Sequence, residues 1–101
     1  MPAFGFSVQF DVRPGKEEEV IAFFEEAREL VGAEPGTLAW FAFRHGPNSF
    51  RIFDAFDTET DREIHLHGEV RKLIEARGEE LFATPPVITP VDVVAAKLPA
   101  G

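Results

Sequence analysis

Two consecutive extended segments, Thr37–His45 and Ser49–Asp57, carry large apolar side chains on both of their faces. In the first, Leu38 and Trp40 fall on one side and Phe41 and Phe43 on the other. In the second, Phe50, Ile52 and Phe56 oppose Phe53. Strands of this kind need cover on both faces. Gly46-Pro47-Asn48 joins them as a hairpin. The chain has only 101 residues, the size of one domain, so it has few elements with which to cover two faces of a sheet.

The remaining segments are equally patterned. From Ala3 to Arg13 the residues alternate strictly, with Phe4, Phe6, Val8, Phe10 and Val12 on one face and Gly5, Ser7, Gln9 and Asp11 on the other. Period 2 over this length predicts a strand, ended by Arg13-Pro14-Gly15. Lys16–Val31 reads as a helix, with Val20, Ile21, Phe23, Phe24, Ala27, Leu30 and Val31 as its apolar stripe. Glu17, Glu18 and Glu19 match the positive end of its dipole, and Gly32 is placed to end it. Glu34-Pro35-Gly36 is a turn. A second helix begins at Thr58, where Thr58-Glu59-Thr60-Asp61 forms a capping box with Asp in place of Glu. Gly68 is placed to kink or split it. Val70, Leu73, Ile74, Leu81 and Phe82 continue its stripe until Pro85-Pro86. A last strand spans about Val87–Lys97, with Pro90 suited to an edge or a bulge. Leu98–Gly101 reads as a loose tail, so the domain is 1–101 with its core at about 3–98.

The order is β-α-β-β-α-β, the α+β ferredoxin-like arrangement. It predicts a four-stranded antiparallel sheet with two helices on one face and nothing on the other. A water-exposed apolar face of that size is rare in monomers, and a second copy placed sheet to sheet would cover it. The 11 Phe, one Trp and no Tyr add to the apolar surface that must be buried. With 18 acidic and 10 basic residues, a formal charge of −8, the surface lacks the footprint of a nucleic-acid or anionic-membrane partner. No apolar run suits a membrane span. The start, Met-Pro-Ala-Phe-Gly-Phe, lacks the basic and apolar regions of a signal peptide, so a cytoplasmic location is the expectation. With no cysteine, disulfides, thiolate nucleophiles and Cys-based metal sites are excluded.

The sequence resembles the antibiotic biosynthesis monooxygenase family, within the dimeric α+β barrel group. The matching pieces are Arg13-Pro14-Gly15-Lys16, Glu34-Pro35-Gly36-Thr37-Leu38, the aromatic run Phe50–Phe56 leading into Glu63-Ile64-His65, and the final segment from Pro86 to Leu98. The resemblance implies a homodimer with one pocket per subunit between sheet and helices, and oxygenation of a planar phenolic or quinol-like compound with O2 without metal or flavin. It matches His65 to the family's helix histidine. Haem-degrading relatives use an Asn on the first strand, a Trp ending the third strand and a helix His. Here those positions hold Phe6 or Ser7, Phe56 and His65, a match at one position of the three.

His65 is the candidate catalytic residue, since an imidazole can take a phenolic proton near neutral pH. The competing reading is a helix histidine bonded to a carbonyl or carboxylate. His67 stands two residues on, off the face of His65, whereas helical metal ligands are spaced by three or four. No metal or other cofactor is expected. The candidate substrate-binding residues are Trp40, Arg44, Gln9, Ser7 and Phe56. Trp40 would be a stacking wall or core. Arg44 would stabilise an oxyanion or, by the stronger expectation, pair with Asp54 across the hairpin. Ser7 and Gln9 would supply hydrogen bonds inside the cavity. Two other functions stay open: a non-catalytic binding module for a small apolar ligand, and a structural dimer with a vestigial cavity.

Overall fold

In the computed structural model, which describes residues 2–99, the elements run β1 (Phe4–Asp11), α1 (Glu17–Gly32), β2 (Ala39–Gly46), β3 (Ser49–Phe56), α2 (Glu59–Leu66), α3 (Glu69–Leu81) and β4 (Val87–Asp92). The sheet order is β2-β3-β1-β4 and every pairing is antiparallel. This is the expected ferredoxin-like sheet. The second helix divides at Gly68: α2 ends at Leu66 and α3 restarts at Glu69. Thr58 caps α2, its Oγ1 accepting from Asp61 N–H at 3.1 Å.

Most element ends shift by one or two residues from the sequence reading, and some differences are larger. The last strand stops at Asp92 rather than Lys97. Val93 N–H still donates to Ala3 O, but β1 begins at Phe4 and offers no further ladder. Leu98 and Pro99 carry no regular structure, while the tail residues Ala100 and Gly101 lie outside the described residues. Phe82 belongs to no helix. It bridges to Val12 and packs against Phe10 and Phe23, at 5.0 and 5.8 Å between ring centroids. Ile21, assigned to the buried stripe of α1, is exposed.

The core lies between the helices and one sheet face. Phe6, Val8 and Phe10 of β1 sit beside Asp54, Ile52 and Phe50 of β3, and Val20, Phe23, Phe24 and Ala27 of α1 close over them. The opposite sheet face has no cover among the described residues, and it presents Phe41 (57% exposed) and Phe43 (46%). Gly5 is required where it stands: a Cβ there would meet the Asp54 carbonyl oxygen at 2.5 Å. That contact lets β1 and β3 close together at the end of the sheet where α2 docks.

Candidate functional site

Asp54 sits on the inward face of β3 among Phe50, Ile52 and Phe56, and is 1% exposed. A carboxylate buried this deeply needs partners. Its Oδ1 accepts from the Phe6 N–H at 3.0 Å. Its Oδ2 lies 3.1 Å from Nε2 of His65. The other ring nitrogen of His65, Nδ1, lies 2.6 Å from Glu34 Oε1. The imidazole is therefore held between two carboxylates contributed by different segments. Its face rests on Phe56, 5.3 Å between centroids.

Local structure places each partner. The turn after α1 is closed by the Thr37 N–H donating to Glu34 O, and the Thr37 hydroxyl donates to Glu34 Oε1 at 2.7 Å. Gly36 lets this turn press against α2, because a Cβ there would strike the Asp61 side chain at 2.6 Å. Arg62 anchors α2 to the sheet through Gly5 O and Val91 O. These contacts hold His65 over Asp54.

Burial disfavours the charged imidazole, but hydrogen bonds to Asp54 and Glu34, together with their negative charges, outweigh it and raise the His65 pKa above its ordinary value. A histidine pKa raised by folding stabilises the fold most below the unfolded-state value of ~6.5, and that contribution is lost as pH rises through the folded-state value. Urea midpoints are accordingly expected to fall as the buffer moves from pH 6 toward pH 9, and a His65→Gln variant is expected to lose that slope. A slope unchanged in the variant would detach it from His65.

Beside Asp54 and His65 is a cavity of about 30 Å³, walled by Phe6, Ile52, Trp40 and, from α3, Val70 and Ile74. Trp40 pairs directly with Asp54 across the hairpin, and its buried indole N–H has no hydrogen-bond partner. Trp40 also borders a groove of about 440 Å³ between α1 and β2, shared with Arg44. Thus His65, Trp40 and Phe56 are brought together on the helix side of the sheet.

The other candidates are not. Ser7 pairs with Phe53 and Thr89, and Gln9 with Arg51 and Val87, so both occupy the opposite sheet face and point away from the His65 cavity. Arg44 makes no bridge to Asp54. It stands beside Phe50 in the β2–β3 register, donates to Pro47 O at 3.2 Å, and lies over the Phe50 ring at 4.9 Å. His67 is exposed and pairs with Glu63. Among the described residues no group of three or more His, Asp or Glu is arranged to hold a metal ion.

Asp54 and Glu34 were absent from the sequence-based candidates. Strand parity marks Asp54, the single charged residue on an otherwise apolar inward face of β3. No comparable signal marks Glu34, whose approach to α2 depends on how the turn packs.

Comparison with known proteins agrees with this architecture. The family model described as antibiotic biosynthesis monooxygenase matches residues 4–76. No curated protein matches the chain. A crystal structure of a protein of unknown function from Nitrosomonas europaea is 40% identical, with a TM-score of 0.95 over 100% of this chain and 98% of that one. A candidate antibiotic biosynthesis monooxygenase from Caulobacter crescentus shares the fold at 21% identity, with a TM-score of 0.79 over 93% of this chain and 92% of that one. One from Chloroflexus aurantiacus does so at 20% identity, with a TM-score of 0.73 over 94% and 96%. The family model spans every strand but the last and includes both Glu34 and His65, so the chain belongs to the antibiotic biosynthesis monooxygenase family.

Proposed function

We propose that the protein is a cofactor-independent monooxygenase acting on a planar, hydroxylated aromatic or quinol-like compound. The observation that carries this reading is the Asp54–His65 pair set into the wall of an apolar cavity between sheet and helices, with Glu34 holding the other ring nitrogen from outside it.

Its chemistry follows from the two contacts of the ring. As an imidazolium, His65 donates to both carboxylates and has no free nitrogen. When it is neutral, one N–H remains. In the tautomer that keeps the proton on Nδ1, held by Glu34, Nε2 is an acceptor facing the Asp54 carboxylate at 3.1 Å, and a hydroxyl entering from the cavity is the donor that this pair lacks. A substrate hydroxyl donates its proton there. The resulting aryloxide is electron-rich enough to reduce O2. One oxygen atom joins the ring and the other leaves as water with two hydrogens from the substrate, so the balance closes without an external reductant. The apolar walls of the cavity keep bulk water from the imidazole and the hydroxyl it receives. Glu34 acts here as a positioning residue, and Trp40 walls the small cavity beside Asp54 and His65.

The doubly bonded imidazole also favours a second reading, a module that binds hydroxylated rings without turning them over. Oxygen uptake with a panel of naphthols and quinols separates the two. Uptake with quinone formation supports the oxygenase, whereas thermal stabilisation by the same compounds without uptake supports the binding module.

The uncovered sheet face bears on assembly. We assign it to a second copy of the chain, because Phe41 and Phe43 lie exposed on it. Light scattering at micromolar concentration is expected to give about twice 11.2 kDa. A stable monomer would overturn that assignment.

A further inference from the structure

The cavity at His65 has room for a hydroxyl or a water, not for a ring. The ring of any substrate must therefore lie outside it. Phe6, Leu66, Arg71 and Ile88 border this cavity and also line a cleft of about 460 Å³ between the helices and β4. That volume is within the range of ligand pockets. The cleft is polar over more than half of its surface; Phe6, Leu66 and Ile88 offer a flat ring its apolar part, and Arg62 and Arg71 stand along it with one acid, Glu63. Two arginines on one cleft are notable in a chain of charge −8.

The two differ in their freedom. Arg62 is largely buried, 13% exposed, and bonds to Gly5 O and Val91 O. Arg71 is more open, its Nε 3.2 Å from Glu75. It is the charged residue shared by the inner cavity, the cleft and an adjoining groove of about 380 Å³. A guanidinium there can exchange an exposed ion pair, worth little, for a two-pronged bond to a planar anion.

We infer that this cleft selects a hydroxylated aromatic carboxylate, with its hydroxyl at the Asp54–His65 end and its carboxylate at Arg71. The direction of the ligand rests on the function proposed above; the anion subsite itself rests on the cleft and Arg71.

Titration calorimetry at low salt, with 6-hydroxy-2-naphthoate, 2-naphthoate and 2-naphthol as probes, tests both parts. The hydroxy acid is expected to bind the wild type about tenfold more tightly than 2-naphthol. Arg71→Gln should erase that preference by weakening the hydroxy acid more than 2-naphthol, and Arg71→Lys should keep part of it. Equal affinities for the hydroxy acid and naphthol in the wild type would overturn the inference, as would a preference that survives in Arg71→Gln. Failure of every probe to bind would overturn both the inference and the proposed function. If 2-naphthoate binds as tightly as the hydroxy acid and with the same dependence on Arg71, the anion subsite stands and the role of His65 as the hydroxyl's partner falls.

Discussion

Replacing His65 with Gln is expected to lower oxygen consumption about 10²–10⁴-fold on whichever hydroxylated aromatic the wild type oxidises, the usual worth of a general base. The amide can still donate to one carboxylate and fills much of the same space, but it cannot take a proton. The loss should therefore fall on kcat rather than KM. The wild-type rate should rise with pH as the imidazole loses its proton, opposite in direction to the urea midpoint. His67→Ala is the control, since His67 lies on the solvent side and pairs with Glu63. Full activity in His65→Gln would transfer the chemistry to another group of the cavity wall.

The largest effect on stability is expected from His65→Ala. It leaves Asp54 buried at 1% exposure without its counter-charge, and breaking a buried pair from one side costs about 3–5 kcal/mol. Replacing both residues, Asp54→Leu with His65→Leu, should recover most of that loss, because the buried charge goes with its partner. The recovery should stop short by the hydrogen bond that the Phe6 N–H then lacks, about 1–3 kcal/mol for a buried donor left unpaired. Urea denaturation of the wild type and both variants at pH 6 measures this. A double variant no more stable than His65→Ala would show that the pair matters through shape rather than charge.

Much of this architecture is legible in residue spacing, because period 2 and period 3.6 report which side of an element is covered. Alternation in β1, the stripe of α1 and the break at Gly68 all reappear as elements. What spacing lacks is register. Arg44 and Asp54 carry opposite charges on neighbouring strands, yet Arg44 lies beside the turn and Asp54 toward the far end of β3, opposite Trp40. A tight hairpin keeps them apart. The same gap explains Ser7 and Gln9. Their parity puts them on the face away from the helices, and a cavity on the helix side is beyond their reach. Glu34 is a tertiary matter altogether. Its meeting with His65 requires Gly36 to let the turn approach α2, a fact of packing between segments distant in the chain.

The short helix α2 has a further significance. It spans eight residues, with His65 its one buried side chain and Ile64 exposed to water. Such a helix has little apolar surface with which to hold itself in place. Beyond Leu66, which packs against the core, its attachment rests on polar ties: His65 to β3 and to the Glu34 turn, and Arg62 to the ends of β1 and β4. Local opening of α2 and loosening of the Glu34 turn therefore form one cooperative event, whose free energy follows the charge on a single imidazole. Protection factors, from which the base catalysis of exchange itself has been removed, should fall together across both segments in alkaline buffer while those of the sheet core hold, so the part of the domain nearest the cavity is also the part whose opening solvent protons control.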